Sequence, residues 1–154
     1  MSRQLLIIAH APSPNTLRLV EALLRGARHP EIDNVIVTWK PPLEAGPEDV
    51  LSADAIILGT TENLGYMSGA LKDFFDRTYY PVLDKKQGMP CALLIRAGHD
   101  GTGTRRALDS ILTGLHWKQV QEPLICKGEW QEDFLAQAEE LGMTMAAGLD
   151  AGIL

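Results

Sequence analysis

Short apolar runs alternate with amphipathic segments along the whole chain. Continuous runs such as QLLIIA, AIIL and PCALLIRA are typical of parallel strands that are buried on both faces. A fifth run, within residues 117–126, is less regular than the others and is expected to form a less regular strand. We predict five strands, within residues 4–9, 34–39, 55–58, 90–97 and 117–126.

Between these runs, apolar residues recur at steps of three and four, which is the spacing of a helix with one buried face. The first helix is predicted to begin near Asn15, with a buried face of Leu17, Val20, Leu24 and Ala27. Three later helices have predicted buried faces made of Met67, Ala70, Leu71, Phe74 and Phe75; of Leu108, Ile111, Leu112 and Leu115; and of Phe134, Ala138, Leu141, Met145 and Leu149. A short helix is also predicted at residues 47–49, where a proline precedes two acidic residues that suit the positive end of a helix.

Strands that alternate with helices through short connections predict an α/β domain with a parallel sheet. Because crossovers between parallel strands are right-handed, few topologies remain. We expect a three-layer sandwich in which helices cover both faces of a five-stranded parallel sheet of order 2-1-3-4-5. With neither a repeat nor an interdomain linker in the sequence, residues 1–154 are predicted to form one domain.

The composition is that of a globular protein, since 45% of the residues are apolar and 22% are charged. A net charge of −6 argues against unspecific nucleic-acid binding, which needs clustered Lys and Arg. The sequence contains no apolar run of membrane-spanning length, and we expect no signal peptide. The two cysteines lack CxxC spacing, so we expect a cytoplasmic protein in which Cys91 is a buried structural thiol.

The loop after the first predicted strand has the composition of an anion site. It carries the hydroxyls of Ser13 and Thr16 and the amide of Asn15, and it opens a helix. The free N–H groups and the dipole of a helix start attract phosphate without any lysine or metal. Alternatively, Ser13 or Asn15 only caps the helix, which is the simpler interpretation of this loop alone.

The loops after the third and fourth predicted strands emerge at the same edge of the sheet, where open α/β sheets bind ligands. Residues 59–66 offer many backbone donors and acceptors, and Gly65 permits the close approach of a flat ligand. Residues 98–103 are rich in glycine, as a wall against a planar ring needs to be. The alternative for this last loop is an ordinary flexible connection.

These three segments resemble those of a known family. Residues 59–69 (GTTENLGYMSG) look like a flavin-binding loop, residues 10–16 (HAPSPNT) are similar to a phosphate loop, and residues 97–103 fall where the family has a third flavin loop. The helical positions that share the likeness are Leu71, Lys72, Phe74, Asp76, Arg77 and Thr78. The chain is thereby similar to the flavodoxin-like FMN proteins, above all to WrbA-type quinone reductases and NADPH-dependent FMN reductases.

The resemblance implies non-covalent FMN, with its phosphate at the first loop and its ring between residues 60–66 and 97–101. The residues implied to bind the cofactor are Ser13, Asn15, Thr16, Leu17, Thr60, Thr61, Glu62, Asn63, Leu64, Gly65, Tyr66, Ala97, Gly98, His99, Asp100 and Gly101. For Leu17 the implied donor is the backbone N–H group.

Three positions depart from the pattern of the family. Ala11 stands where a serine is common, Pro14 where a glycine is common, and Thr61 where the quinone-reductase branch often has proline. The first two changes remove a hydroxyl and an N–H group from the phosphate loop. Each lost hydrogen bond to a charged group costs roughly 1.5–3 kcal/mol, so we expect weaker FMN binding than in close relatives.

The function implied by the resemblance is an FMN-dependent oxidoreductase that takes a hydride from NAD(P)H and passes electrons to a quinone-like acceptor. His99 is the candidate catalytic side chain, to orient a substrate or donate a proton, although it can equally be polar surface. The alternatives are a flavodoxin-type electron carrier that serves a redox protein, and a degenerate FMN-fold binding module without turnover. The family resemblance alone suggests a homodimer. No metal is predicted, because histidines 10, 29, 99 and 116 lack ligand spacing.

Overall fold

Seven strands and five helices lie along residues 2–154, which are the part of the chain that this computed structural model describes. A single 3₁₀ turn, Pro42–Glu44, precedes the second helix. In chain order the elements are β1 (Arg3–Ala9), α1 (Pro14–Ala27), β2 (Val35–Lys40), α2 (Pro47–Leu51), β3 (Ala55–Asn63), β4 (Tyr66–Met67), α3 (Gly69–Val82), β5 (Pro90–Ala97), α4 (Thr102–Leu115), β6 (Lys118–Gln119), β7 (Leu124–Lys127) and α5 (Asp133–Asp150).

The sheet has the order β2-β1-β3-β5, and all of these strands are parallel. The fifth position is divided between two short strands. β6 pairs with the start of β5 and β7 pairs with its end, both in the parallel sense. The predicted order 2-1-3-4-5 is therefore confirmed, while the fifth strand is interrupted at residues 120–123. This segment ends in Pro123, which has no N–H group to donate to a sheet.

The prediction that the third strand stops at Gly59 and gives way to a long loop is wrong. β3 continues to Asn63, because the backbone of residues 59–61 finds hydrogen-bonding partners on β5. Gly59 serves close strand packing, since a Cβ atom there would lie 2.9 Å from the Cβ of Ala9. Beyond Asn63, a turn at Leu64 and Gly65 leads into β4, which returns antiparallel to β3. The expected loop is thus a β-hairpin.

Both faces of the sheet are buried, as the continuous apolar runs predicted. Successive side chains of β1, β3 and β5 point to opposite faces, where each fully buried Leu or Ile contributes roughly 1.5–3 kcal/mol. The face covered by α2, α3 and α4 contains Leu6, Ile8, Ile56, Leu58, Leu93 and Ile95, and the face covered by α1 and α5 contains Leu5, Ile7, Ile57, Ala92 and Leu94. These two cores confirm the three-layer sandwich.

The buried face of α1 differs from the predicted one at two of its four positions. Val20 and Ala27 are buried as predicted, but Leu17 is 38% exposed and Leu24 is only half-buried, and Leu19 and Leu23 are buried instead. The reason lies in α5, whose backbone touches α1 at two glycines. A Cβ on Gly26 would lie 1.9 Å from the carbonyl oxygen of Glu139, and a Cβ on Gly142 would lie 2.1 Å from that of Leu23. This contact sets the rotation of α1 about its axis. The predicted faces of the other three long helices are confirmed at most positions.

The two cysteines lie on opposite sides of the sheet and are free thiols. Cys91 is fully buried, as predicted, and burial raises the pKa of its thiol to about 12. Burial likewise raises the pKa of Cys126 to about 11. Both side chains therefore remain protonated and pack as small apolar groups. None of the helices within residues 2–154 combines the length and apolar character needed to cross a membrane.

We predict that Gly142→Ala lowers the free energy of unfolding by about 1–3 kcal/mol, because the added methyl group forces two helix backbones apart. Urea denaturation measures the change. Gly69→Ala is the matched control, since a Cβ at that helical glycine meets nothing within 4 Å. This control is expected to be neutral or slightly stabilising. A Gly142→Ala protein as stable as the original would contradict the close contact between α1 and α5.

Candidate functional site

Three connections gather at the carboxyl edge of the sheet: residues 10–13, the hairpin turn at residues 64–65, and residues 98–101. The first is tied to β3, since the His10 N–H donates to the carbonyl of Gly59 at 3.0 Å. The hairpin turn packs on the first turn of α4, where a Cβ on Gly103 would lie 2.1 Å from the carbonyl oxygen of Gly65. The fold therefore brings together the three loops that the sequence singled out.

The first loop forms a capping box at the start of α1. The Ser13 hydroxyl accepts a hydrogen bond from the Thr16 N–H at 3.2 Å, and the Ser13 N–H donates to the Thr16 hydroxyl at 2.9 Å. The Leu17 N–H, predicted as a phosphate donor, donates to the Ser13 carbonyl at 2.9 Å. Capping, offered by the sequence as the alternative, is thus present. Among the described residues, the Asn15 N–H has no acceptor and faces outward from the positive helix end.

The hairpin turn holds a leucine in an unusual backbone conformation. Leu64 has a φ of 53° and Gly65 a φ of 76°, so both central residues of the turn are left-handed. Glycine adopts this conformation freely, whereas a leucine does so at a cost of about 1–2 kcal/mol. The Leu64 side chain is completely exposed and the Tyr66 ring is 39% exposed. The turn therefore presents two apolar side chains at the rim of the site.

A single carboxylate joins the hairpin to the third loop. One oxygen of Glu62 accepts a hydrogen bond from the His99 N–H at 3.0 Å, and the other accepts from the Gly101 N–H at 2.9 Å. Gly101 is the N-cap of α4 and has a φ of 72°, which favours glycine. The negative charge thus also lies at the positive end of that helix. We refer to this pair of hydrogen bonds as the Glu62 bridge.

The remaining backbone donors at this edge define what it can bind. In residues 2–154 the N–H groups of Leu64, Gly65 and Gly98 have no protein acceptor, like that of Asn15. These donors come from all three loops, so they suit an extended ligand with several oxygen acceptors. A ring with carbonyl oxygens that carries a phosphate at a distance has this chemistry. The donor set therefore fits FMN, without the need for a metal.

The side chains of the third loop are mostly in solvent. The imidazole of His99 is exposed and makes no hydrogen bond to any residue from 2 to 154. The Asp100 carboxylate accepts a hydrogen bond from the Thr102 N–H at 3.0 Å, and this bond lowers the pKa of Asp100. Ala97, the last residue of β5, is fully buried. The loop thus offers its backbone to the site, while the imidazole is available only to a partner that approaches from solvent.

One functional candidate escaped the sequence interpretation. Arg96 is a charged residue inside the apolar strand β5, one position before the strand ends. There it lines a small pocket together with His10, Thr16 and Thr60. Burial lowers the pKa of His10, which favours its neutral form. The isolated arginine in PCALLIRA was the available signal. Within the described part of the chain, no group of three or more His, Cys, Asp or Glu could hold a metal ion.

Comparison with known proteins gives one family and one curated relative. The family described as NADPH-dependent FMN reductase matches residues 13–131. The flavodoxin of Aquifex aeolicus (strain VF5) is 32% identical over 112 residues, which cover 73% of this chain and 60% of the relative. The match thus spans less than two thirds of that flavodoxin.

Solved structures establish the fold independently. A flavodoxin from the domain Archaea has a TM-score of 0.80 at 18% identity, with 95% of this chain and 98% of that chain covered. A flavodoxin, WrbA-like protein from Agrobacterium tumefaciens has a TM-score of 0.73 at 18% identity, with 99% and 100% covered. These likenesses confirm the flavodoxin-like architecture that the sequence predicted.

We predict that Glu62→Ala loosens the third loop. The amide protons of His99 and Gly101 should exchange with solvent about 10-fold faster or more, because hydrogen bonds to a charged acceptor contribute roughly 1.5–3 kcal/mol. Amide exchange followed by NMR measures the effect residue by residue. Glu129→Ala is the control, since this exposed carboxylate has no hydrogen bond to another described residue. Unchanged exchange in Glu62→Ala would show that the bridge does not hold the loop.

Proposed function

The chain belongs to the NADPH-dependent FMN reductase family of flavodoxin-like proteins, and from this premise we propose that it is an FMN-dependent oxidoreductase. NAD(P)H is the proposed electron donor, and a small quinone-like molecule is the proposed acceptor. The observation that carries this proposal is the Glu62 bridge, because it fixes the spacing of the two loops between which the family places a flavin ring. FMN, when bound, supplies the hydride and electron transfer chemistry.

In this proposal the first loop holds the phosphate. The capping box of Ser13 and Thr16 fixes the start of α1, so that the Asn15 N–H and the helix dipole point to one place. Ser13, Thr16 and the N–H of Leu17 remain proposed phosphate contacts. Because their hydrogen bonds are made within the loop, binding through them requires the phosphate to share or replace those bonds.

The hairpin and the third loop hold the ring. The unpartnered N–H groups of Leu64, Gly65 and Gly98 are available to the carbonyl oxygens of a flavin. The side chains of Leu64 and Tyr66 would cover apolar parts of the ring and exclude water from one side. A leucine held in a left-handed turn is one of the strained conformations that tend to occur at ligand sites.

The acceptor would approach from the solvent side of the third loop. His99 is exposed there, so its imidazole could orient an acceptor or donate a proton to it. A second copy of the chain, as in a homodimer, is proposed from the family likeness alone.

An electron carrier is the second candidate function. The observation that favours it is the 32% identity with a protein named flavodoxin. A carrier would exchange electrons with a redox protein and would not turn over NADPH. A redox titration distinguishes the two candidates, because a carrier takes up electrons one at a time whereas the reductase takes up two together. A third candidate, a degenerate binding module without turnover, would show no bound flavin at saturation.

The proposed function predicts that the purified protein, supplied with FMN, binds the flavin and oxidises NADPH only when FMN is present. Quenching of flavin fluorescence measures binding, and the loss of NADPH absorbance with a quinone as acceptor measures turnover. Riboflavin, which lacks the phosphate, is expected to bind more weakly. Absence of both bound FMN and FMN-dependent NADPH oxidation would refute the proposal.

The phosphate loop gives a second prediction. Pro14→Ala restores a backbone N–H group in the first turn of α1 and should tighten FMN binding about 10-fold, since a hydrogen bond to a charged group contributes roughly 1.5–3 kcal/mol. Pro47→Ala is the matched control, because this proline also begins a helix but belongs to none of the three loops. An equal gain in both variants, or a gain with riboflavin as well, would argue against phosphate at this turn.

A further inference from the structure

Arg96 is a charge in an otherwise apolar strand. The other residues of β5 are apolar, and Cys91, Ala92, Leu93 and Ile95 are fully buried. The Arg96 side chain is half-buried, so its charge is partly removed from water. Such a position is costly for a cation unless hydrogen bonds or an anion compensate for the lost hydration.

The protein holds the guanidinium in a fixed orientation. One terminal nitrogen, Nη1, donates to the carbonyls of Ala97 and Cys126, each at 3.0 Å. The guanidinium carbon lies 5.7 Å from the ring centre of Trp130 and 5.3 Å from that of Phe134. These contacts hold the planar group against two aromatic rings and leave Nε and Nη2 without an acceptor among residues 2–154.

In the part of the chain that the structure describes, no carboxylate oxygen lies within 4.0 Å of a guanidinium nitrogen of Arg96, so its charge has no ion-pair partner. A second arginine provides the contrast. Arg18 lies 5.6 Å from the same Trp130 ring centre, but its Nη2 is 2.5 Å from a carboxylate oxygen of Glu132. Of the two guanidinium groups that contact this indole, only that of Arg96 therefore lacks a compensating anion.

The position of Arg96 indicates which anion would compensate the charge of its guanidinium. The side chain lines the same pocket as Thr16, in the first turn of α1, and His10, in the first loop. Within this loop Ala11 offers no side-chain hydroxyl and Pro14 offers no N–H group. A guanidinium presents a planar fork of donors that matches phosphate oxygens better than a single N–H group does.

We propose that Arg96 binds the terminal phosphate of the flavin nucleotide, and so replaces the donors that the first loop lacks. This inference rests on the proposed function, because it takes FMN as the ligand. It assigns the recognition of the phosphate to a side chain from β5 in addition to the loop backbone. Discrimination between FMN and riboflavin then depends on Arg96.

The test compares the affinities for FMN and riboflavin, measured by quenching of flavin fluorescence, in the wild-type protein and in Arg96→Met. FMN binding is expected to weaken about 10-fold or more in the variant, whereas riboflavin binding stays within about twofold. The salt dependence gives an independent readout. Added salt should weaken FMN binding less in Arg96→Met than in the wild type, because a charge pair has been removed.

Two further variants separate phosphate binding from packing. Arg96→Lys keeps the charge but loses the planar fork, and it should bind FMN with an intermediate affinity. Arg28→Met removes a guanidinium that also donates to a backbone carbonyl, that of Val37 at 3.0 Å, but it lies at the opposite end of α1 from the first loop, so it should preserve the ratio of FMN to riboflavin affinity. Thermal unfolding of each variant confirms that it is folded.

The outcomes separate this inference from the proposed function. Loss of the preference for FMN in Arg96→Met, with riboflavin binding retained, supports the inference. If the wild type binds FMN and Arg96→Met keeps the same preference, or Arg28→Met loses it equally, the inference is overturned while the proposed function stands. If the wild type binds neither flavin, both are overturned.

Discussion

The burial of the sheet on both faces is the constraint on which the rest of the molecule depends. Strands covered by helices on each side have no room for polar side chains except where the sheet ends. The chain follows this rule closely: Glu62 and Arg96 both lie in the last residues of their strands, where the backbone leaves the apolar layers. The packing that stabilises the fold therefore confines the polar side chains of the strands to the ends of the sheet, and the three loops lie at its carboxyl end.

Hydrophobic patterning predicted the core of this fold well and its rim less well. β1 and β5 were recognised because they are apolar over nearly their whole length. The outer half of β3 was missed, since Gly59 and two threonines suggest a loop, and only pairing with β5 shows otherwise. The face of α1 was predicted correctly at Val20 and Ala27 but not at Leu17, because the rotation of this helix is set by contact with a helix more than a hundred residues later in the chain. Such long-range contacts leave no local signal.

The same limit applies to the site. Residue types and family likeness led to the three loops, and the structure brings these loops together. The sequence did not reveal which polar groups of the loops form hydrogen bonds with one another. The hydroxyls of Ser13 and Thr16 bond to each other, and the Glu62 carboxylate occupies the N–H groups of two residues that were assigned to the cofactor. Arg96 was passed over because it lay within a segment interpreted only as a strand. Pairings of this kind depend on distances in space rather than on residue type.

The contact between α1 and α5 has a consequence for the biogenesis of the protein. Gly26 and Gly142 let the two helices touch through their backbones, so the orientation of α1, and with it the loop that precedes it, depends on an 18-residue helix that follows β7 in the chain. During synthesis β1, β3 and β5 emerge before α5, so α1 can settle against its helical neighbour only after these strands have been made. The position of the first loop on the sheet is thus set later than the strands themselves.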